Sequence, residues 1–262
     1  MKKGILILLA LSLGACSFGS LVYNNFHHAV LWKASDYIDL EKSQKKLLRQ
    51  TSIDFITWHK QGELGQYKVL LQELYSDLQR QTLTLEKAQT YRVRTQQFAE
   101  NIIEYLKPQL PILLSTLTTE QYEELISNIS KKIDKREQKT TSERVDERLE
   151  RMEEWYGKLN SQQEIAVIDW EKQRTVRDSE LTIIRAEWLI ALEKSSAENI
   201  NRHVNFNDAL WSILDYFPSP SQEKNNNIAT TVWFLSEESQ QKKVLAKIED
   251  IQTSIDSILD AS

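Results

Sequence analysis

The stretch WHKQGEL, residues 58–64, places two side chains that can carry protons or bind metals four positions apart. On an unbroken helix His59, Glu63 and Tyr67 would share one face, because residues at i, i+4 and i+8 lie above one another. Such a pair could act as acid and base or supply two metal ligands. The glycines at 62 and 65, however, predict that the helix ends here. The main interpretation is a structural hydrogen bond beneath the neighbouring tryptophan, and an enzyme site around His59 and Glu63 is the alternative.

The other residues capable of chemistry give weaker signals. His27 and His28 are adjacent and would point about 100° apart on a helix, so they cannot form a ligand pair and are expected to contact solvent or headgroups. The sequence contains no phosphate-binding loop, nucleophile elbow, HExxH motif or cysteine pair. Acidic residues between positions 146 and 154 have the pattern of a solvated helix face. No catalytic residue, cofactor or metal site is therefore predicted.

Cys16 is the single cysteine of the 262-residue chain. Lys2 and Lys3 precede it, followed by an uncharged apolar run over residues 4–15. This arrangement is typical of a secretory signal peptide, and the run is too short to remain as a membrane-spanning helix. We therefore predict that residues 1–15 are removed and that the mature chain begins at Cys16.

The residues before the cysteine, Leu13, Gly14 and Ala15, resemble the bacterial lipoprotein signal, the lipobox. The resemblance implies cleavage between Ala15 and Cys16, a diacylglyceryl group on the sulfur, and an acyl chain such as palmitate on the new amino group. Several acyl chains hold a protein on a bilayer far more firmly than one. Ser17, where inner-membrane lipoproteins have aspartate, favours the periplasmic face of the outer membrane. The thiol would then be unavailable for a disulfide or for catalysis.

Charge and composition argue against a nucleic-acid partner and in favour of a helical fold. The mature chain would keep 31 of 33 basic residues and all 38 acidic ones, a net charge of −7. No nucleic-acid partner is expected from this balance. Few glycines and prolines and abundant Leu, Glu, Gln and Lys favour helices. The sequence predicts an all-α fold, an elongated bundle of amphipathic helices.

Apolar periodicity divides the chain into helices. Residues 16–20 form a short tether that reaches at most about 17 Å, and residues 21–262 form the helical periplasmic domain. Residues 134–144 contain no apolar side chain and form either a solvated hinge, a sub-boundary, or a helix projecting into water; a capping box at Thr140 favours a break there. A long loop is predicted at 218–227. The expected helices cover residues 29–60, 66–80, 85–106, 118–133, 140–157, 160–192 and 236–259, with short apolar or helical pieces at 111–117 and before 217 and a loop at 199–206.

One helix-start pattern occurs three times, as LTTEQ at 117–121, LNSQQ at 159–163 and LSEESQ at 235–240. In each, a capping residue is followed by a glutamine whose side chain can return to the capping backbone. The first resembles the LTxxQ motif of Spy-type periplasmic chaperones. The second has Asn160 in place of threonine, and the third displaces its glutamine by one position. Capping boxes also occur in unrelated helical proteins, so the pattern favours helix placement over chaperone function.

Most of the mature chain is similar to a family of bacterial lipoproteins known only as a domain of unknown function. The residues that carry this resemblance are Leu21, Tyr23, Asn24, Trp32, Asp36, Tyr37, Asp39, Leu40 and Gln44, then Trp58, His59, Glu63, Leu64 and Tyr67, then Glu154, Trp155, Tyr156, Gly157, Lys158 and Leu159. Gly65 departs from this pattern, which has proline there. The resemblance implies location and fold without an activity.

These observations together predict a non-enzymatic, lipid-anchored interaction module. It would act either as a holdase on unfolded envelope proteins or as a structural subunit of the envelope. The oligomeric state and the partner are not specified by the sequence.

Overall fold

A computed structural model describes residues 23, 25–198, 200–216 and 228–261, and most of these residues lie in helices. The described residues contain no strand, which confirms the predicted all-α bundle. None of the helices in these ranges combines the length and the apolar character needed to cross a bilayer. The α-helices are α1 (Phe26–Ala34), α2 (Lys42–Trp58), α3 (Leu64–Gln79), α4 (Leu85–Leu106), α5 (Leu110–Leu114), α6 (Thr119–Glu137), α7 (Thr141–Tyr156), α8 (Ser161–Ser196), α9 (Arg202–Ser212), α10 (Ile228–Phe234) and α11 (Glu238–Asp260).

Two short elements complete this order. A π-helical turn, His59–Glu63, joins α2 to α3 without a break, so one continuous helix runs from Lys42 to Gln79. A 3₁₀ turn, Ile213–Tyr216, follows α9. The predicted loop at 218–227 lies outside the described residues, as do the signal segment 1–15 and the tether 16–20.

The predicted first helix, 29–60, is wrong in two respects. The chain leaves the helix after Ala34 and re-enters it at Lys42, and in between Ile38 and Leu40 are buried with 7% and 4% of their surface exposed. These apolar residues continue the helical spacing, which concealed the break. At the other end, the glycines at 62 and 65 lie inside the continuous helix instead of ending it.

The predicted loop at 199–206 is also too long, because α9 begins at Arg202. Asn201, with φ of 56°, takes the left-handed conformation immediately before this helix. Asparagine tolerates that conformation better than most residues, so α9 starts directly after it and includes more than half of the predicted loop.

The capping signals at Thr118, Thr140 and Asn160 predict the helix starts correctly, whereas the cap of α11 is Glu237 instead of Ser236, which gives Gln240 the usual spacing. Thr118, Thr140 and Asn160 each accept a hydrogen bond from the backbone amide three residues later, at 3.2, 3.2 and 3.0 Å. The break near Thr140 and the end of α7 at Gly157, with φ of 74°, are confirmed. Helix α4 has the predicted bounds, Leu85–Leu106.

The glutamines of these helix starts form two reciprocal pairs inside the protein. Gln44 donates to Gln121 Oε1 at 2.9 Å and accepts from Gln121 Nε2 at 2.8 Å. Gln163 and Gln240 make the same exchange at 3.1 and 2.9 Å. Each Oε1 also accepts from the amide of its own helix cap, and each Nε2 also donates to a backbone carbonyl. All the hydrogen-bonding capacity of four buried amides is thereby used.

The two glutamine pairs show that the chain contains one helical unit twice. Both pairs span 77 positions, and equivalent glutamines are 119 positions apart (163 − 44 and 240 − 121). Gln121 donates to the carbonyl of Asp39 and Gln240 to that of Lys158, again 119 positions later. Each unit has five elements in the same order: a first helix, a long helix, a middle helix, a short helix and a final helix. In the first half these are α1, the continuous α2–α3, α4, α5 and α6, and in the second half they are α7, α8, α9, α10 and α11.

The two halves exchange their final helices. The buried apolar side chains form two clusters, which we call the first and the second core. In the first core, Leu71 and Leu78 of α3 pack with Ile251 and Ile255 of α11. In the second core, Ile126 of α6 packs in one cluster with residues of α8 and α9; the buried members of that cluster are Leu114, Tyr122, Ile126, Ile129, Trp188, Leu192, Phe206 and Ile213. Each core therefore contains residues from both sides of the break near Thr140.

Candidate functional site

Cys16 and Ala15, the predicted lipidation and cleavage residues, lie outside the described residues. The site that the structure does describe is the segment around His59. Trp58 ends α2, the π-helical turn follows, and Glu63 precedes α3. A π-helical turn is often found at functional positions of helices. We define the His59 cluster as His59, Glu63 and the side chains in contact with them.

His59 is buried among aromatic rings, with 6% of its surface exposed. Its Nδ1 lies 3.0 Å from the hydroxyl of Tyr23, which also lies 3.4 Å from the carbonyl oxygen of Ile56. The ring centroids of Phe55 and Tyr67 are 5.6 and 5.1 Å from that of His59. Burial lowers the pKa of His59 to about 4, so the imidazole is neutral at neutral pH. Burial also raises the pKa of Tyr23.

Glu63 is equally buried, with 6% exposed, and contacts a different neighbour. Both carboxylate oxygens accept from Nδ2 of Asn101 on α4, at 3.2 and 3.1 Å. Burial, and secondarily the charge of Glu63, raises the pKa of Tyr67. The hydrogen bonds described for His59 and Glu63 thus go to Tyr23 and Asn101 respectively.

Aromatic pairs extend the His59 cluster between the long helix and α4. Trp58 stacks on Tyr105 with centroids 4.4 Å apart and an interplanar angle of 20°. Tyr67 contacts Phe98 at 4.3 Å. Offset and tilted ring pairs of this kind add to the stability gained from burial. Together with the Glu63–Asn101 hydrogen bonds, they hold α4 against α2 and α3.

The arrangement pairs a neutral imidazole with a tyrosine hydroxyl. A neutral imidazole can accept a proton, although a pKa near 4 makes it a weak base at neutral pH. The one hydrogen-bond partner described for His59 is the Tyr23 side chain, and Glu63 contacts Asn101 instead of His59. Within the described ranges, no three His, Cys, Asp or Glu side chains are placed to hold one metal ion.

Sequence reasoning identified most of this cluster but missed two features. Tyr23, His59, Glu63 and Tyr67 all carried the family resemblance, and the structure brings Tyr23 and Tyr67, 44 positions apart, into contact with His59. Asn101 was missed because nothing in its own segment distinguishes it from other polar residues of α4. The helix start before Gln44 was also missed, although the spacing from Leu40 to Gln44 repeats that from Leu117 to Gln121.

Comparison with known proteins gives a family but no activity. Residues 36–216 match a family of unknown function, DUF6279, which covers more than half of the chain. No curated protein and no solved structure matched. On the extent of that match, this chain belongs to the DUF6279 family of unknown function.

Proposed function

We propose that this protein is a lipid-anchored component of the cell envelope, facing the periplasm at the outer membrane, that binds other proteins without catalysing a reaction. The observation that carries the proposal is the sequence Leu13-Gly14-Ala15-Cys16 behind an uncharged apolar run. A cysteine at that position provides an attachment point for lipid. The membrane is then a partner through the covalent anchor, and the helical body is available to proteins.

Exposed apolar side chains on α8 support a protein-binding role. Ile183 and Ile190 are 67% and 63% exposed, and Ala186 lies exposed between them. Their spacing of three and four residues puts them in one row, opposite Trp188 and Leu192, which are buried in the second core. A row with this spacing is suited to contact with an apolar helix or an unfolded apolar segment of a partner.

The anchor is tested by following acylation in cells. The full-length protein is expected to incorporate a labelled palmitate analogue and to fractionate with the outer membrane. The variant Cys16→Ser is expected to lose the label and to remain uncleaved or soluble. A wild-type product that is secreted without lipid would contradict the anchor.

The protein-binding surface is tested by photo-crosslinking in living cells. A photoreactive amino acid at Ala186 is expected to capture protein, whereas the same group at the exposed Asp250 of α11 provides a control on another surface. One fixed crosslinked partner supports a structural subunit. Many unfolded substrates, together with suppressed aggregation of unrelated proteins at near-stoichiometric amounts, support a holdase. Equal capture at the two positions would contradict a binding role for the α8 row.

The π-helical turn favours a second candidate, an enzyme acting on envelope material. A buried neutral histidine with a tyrosine partner beside such a turn is an arrangement that catalysis could use. His59→Gln and Glu63→Gln, checked for helix content, are the test in cells that lack the chromosomal copy. Folded variants that fail to restore the function of the deleted protein support the enzyme, and folded variants that restore it support the binding module.

A further inference from the structure

Helix α1, the first that the structure describes after the predicted lipid attachment site, exposes a face that contains a large aromatic side chain. Five residues of α1 and its cap are exposed and lie within one stripe: Asn25, His28, Ala29, Trp32 and Lys33. The residues between them are half-buried, and Phe26 contacts Phe55 of α2 with centroids 5.6 Å apart. Successive residues are about 100° apart on a helix, so these two sets occupy opposite sides. We call the exposed stripe the Trp32 face.

Trp32 dominates this face. It is 70% exposed, whereas the other six tryptophans of the chain are buried or half-buried. An indole ring combines a large apolar surface with one N–H donor, and it is therefore most favourable at a boundary between apolar and aqueous phases. His28, one helical turn before Trp32, and Lys33, directly after it, are exposed on the same face and supply groups that can contact anions.

The segment that contains the Trp32 face is positively charged, whereas the rest of the mature chain is negatively charged. Residues 17–35 contain no acidic side chain, and residues 17–53 carry five Lys and Arg against three Asp and Glu, a net charge of +2. The remaining mature residues, 54–262, carry 26 against 35, a net charge of −9. An anionic surface would attract the first segment and repel the rest of the molecule.

Chain length places the face near a membrane. Phe26 is ten positions after Cys16, a distance of at most about 34 Å even when the chain is fully extended. On this basis we propose that the Trp32 face lies on the anionic phospholipid surface to which the chain is anchored, and that it fixes the orientation of the helical body. This inference rests on the proposed lipid anchor at Cys16.

The tryptophan would enter the headgroup region while Lys33 and His28 contact lipid phosphates. Lys33 lies 2.7 Å from Asp36, which is also 3.3 Å from Lys132, so the Asp36 carboxylate is paired with two cations. An amphipathic contact of one helix is weak alone, but the anchor raises its effective concentration at the surface. Two attachment points would limit rotation of the bundle above the membrane.

The test uses the acylated full-length protein in vesicles of phosphatidylcholine and phosphatidylglycerol. Once Cys16 carries lipid, Ala29→Cys introduces the one free thiol, which takes a nitroxide spin label on the Trp32 face without altering Trp32. The control label is at Gln79→Cys, an exposed residue at the end of α3, roughly 35 Å along the continuous helix from Phe55. Collisions with membrane-soluble oxygen and with a water-soluble nickel complex report the surroundings of each label.

At position 29 we expect greater oxygen accessibility and lower nickel accessibility than at position 79. Adding Trp32→Ser should raise nickel accessibility at position 29, and vesicles without phosphatidylglycerol should reduce the difference between the sites. Equal accessibility at the two positions in vesicle-bound protein would overturn the inference. Protein that does not float with the vesicles and whose mass shows an unmodified Cys16 would instead contradict the anchor.

Discussion

Gln121 has two separate roles, and one substitution distinguishes them. Its Oε1 accepts from the Thr118 amide at 3.0 Å, and its Nε2 donates to Asp39 and Gln44. Gln121→Glu keeps the capping acceptor, removes both donors and places a carboxylate against Oε1 of Gln44, which keeps only the Glu41 amide. We expect a loss of roughly 2 to 4 kcal/mol in the free energy of unfolding, measured by urea denaturation followed by circular dichroism.

The exposed capping box of α7 provides the matched control. Glu143 returns to the Thr140 amide at 2.7 Å without entering a buried pair, and Glu143→Gln preserves the acceptor. The free energy of unfolding should change by less than about 0.5 kcal/mol. An equally small change for Gln121→Glu would show that the reciprocal pair contributes nothing beyond the cap.

His59 should make the stability of the protein depend on pH. Its folded pKa of about 4 lies below the ordinary value of 6.5, so the unfolded chain binds a proton first as the pH falls. The contribution of His59 to the free energy of unfolding is therefore fully present above pH 6.5. It is lost progressively as the pH falls to about 4, by about 3 kcal/mol in total. Urea denaturation at several pH values should show this loss for the wild type.

Two variants identify the cause of that pH dependence. His59→Gln should lack this part of the loss. Tyr23→Phe should retain most of it, because burial, not the hydroxyl, lowers the histidine pKa. A wild type and a His59→Gln variant with the same pH profile would contradict the shifted pKa.

At the scale of elements, the presence of a glycine did not by itself predict where a helix ends. Gly62 and Gly65 are in the continuous helix, and a Cβ at either position would meet no atom within 4 Å. Gly157 has φ of 74°, and a Cβ there would clash with the Lys243 side chain. The sequence presents all three as helix terminators, and only the backbone conformation separates them.

This difference predicts opposite effects of alanine. Gly62→Ala and Gly65→Ala should each raise the free energy of unfolding by about 0.5 to 1 kcal/mol, because they remove conformational freedom from the unfolded chain. Gly157→Ala should lower it by at least about 1 kcal/mol, because alanine is strained at φ of 74° and ψ of −160°. Thermal denaturation of the three variants measures both signs, and destabilisation by Gly62→Ala would contradict an unbroken helix at this position.

Element starts were predictable where a local hydrogen bond fixes them. Thr118, Thr140 and Asn160 are capping residues whose partners lie three positions away, so sequence spacing was sufficient. The π-helical turn and the pairing of Gln44 with Gln121 depend on contacts between distant segments. Periodicity carries no information on such contacts, and this is why the helices were predicted better than the His59 cluster.

For the whole molecule, the exchange of final helices has a consequence for folding. Helix α11 packs on α3, and α6 packs on α8, so neither half encloses a core made of its own residues alone. Leu192 and Val232 are completely buried in the two cores. A bundle built in this way should unfold in one transition, since loss of either half exposes apolar surface in both cores.

Separated halves test this interdependence directly. Fragments 16–138 and 139–262, cut in the polar segment between α6 and α7, should each show much less helix by far-UV circular dichroism than the intact chain. Mixed in equal amounts, they should regain helix, because each supplies the final helix that completes the other's core. Leu192→Ala in the second fragment should weaken the reassembly, since a cavity from such a truncation costs about 2 to 5 kcal/mol. A fragment that folds cooperatively alone would show that the repeated unit is an independent domain and that the exchanged helices are dispensable.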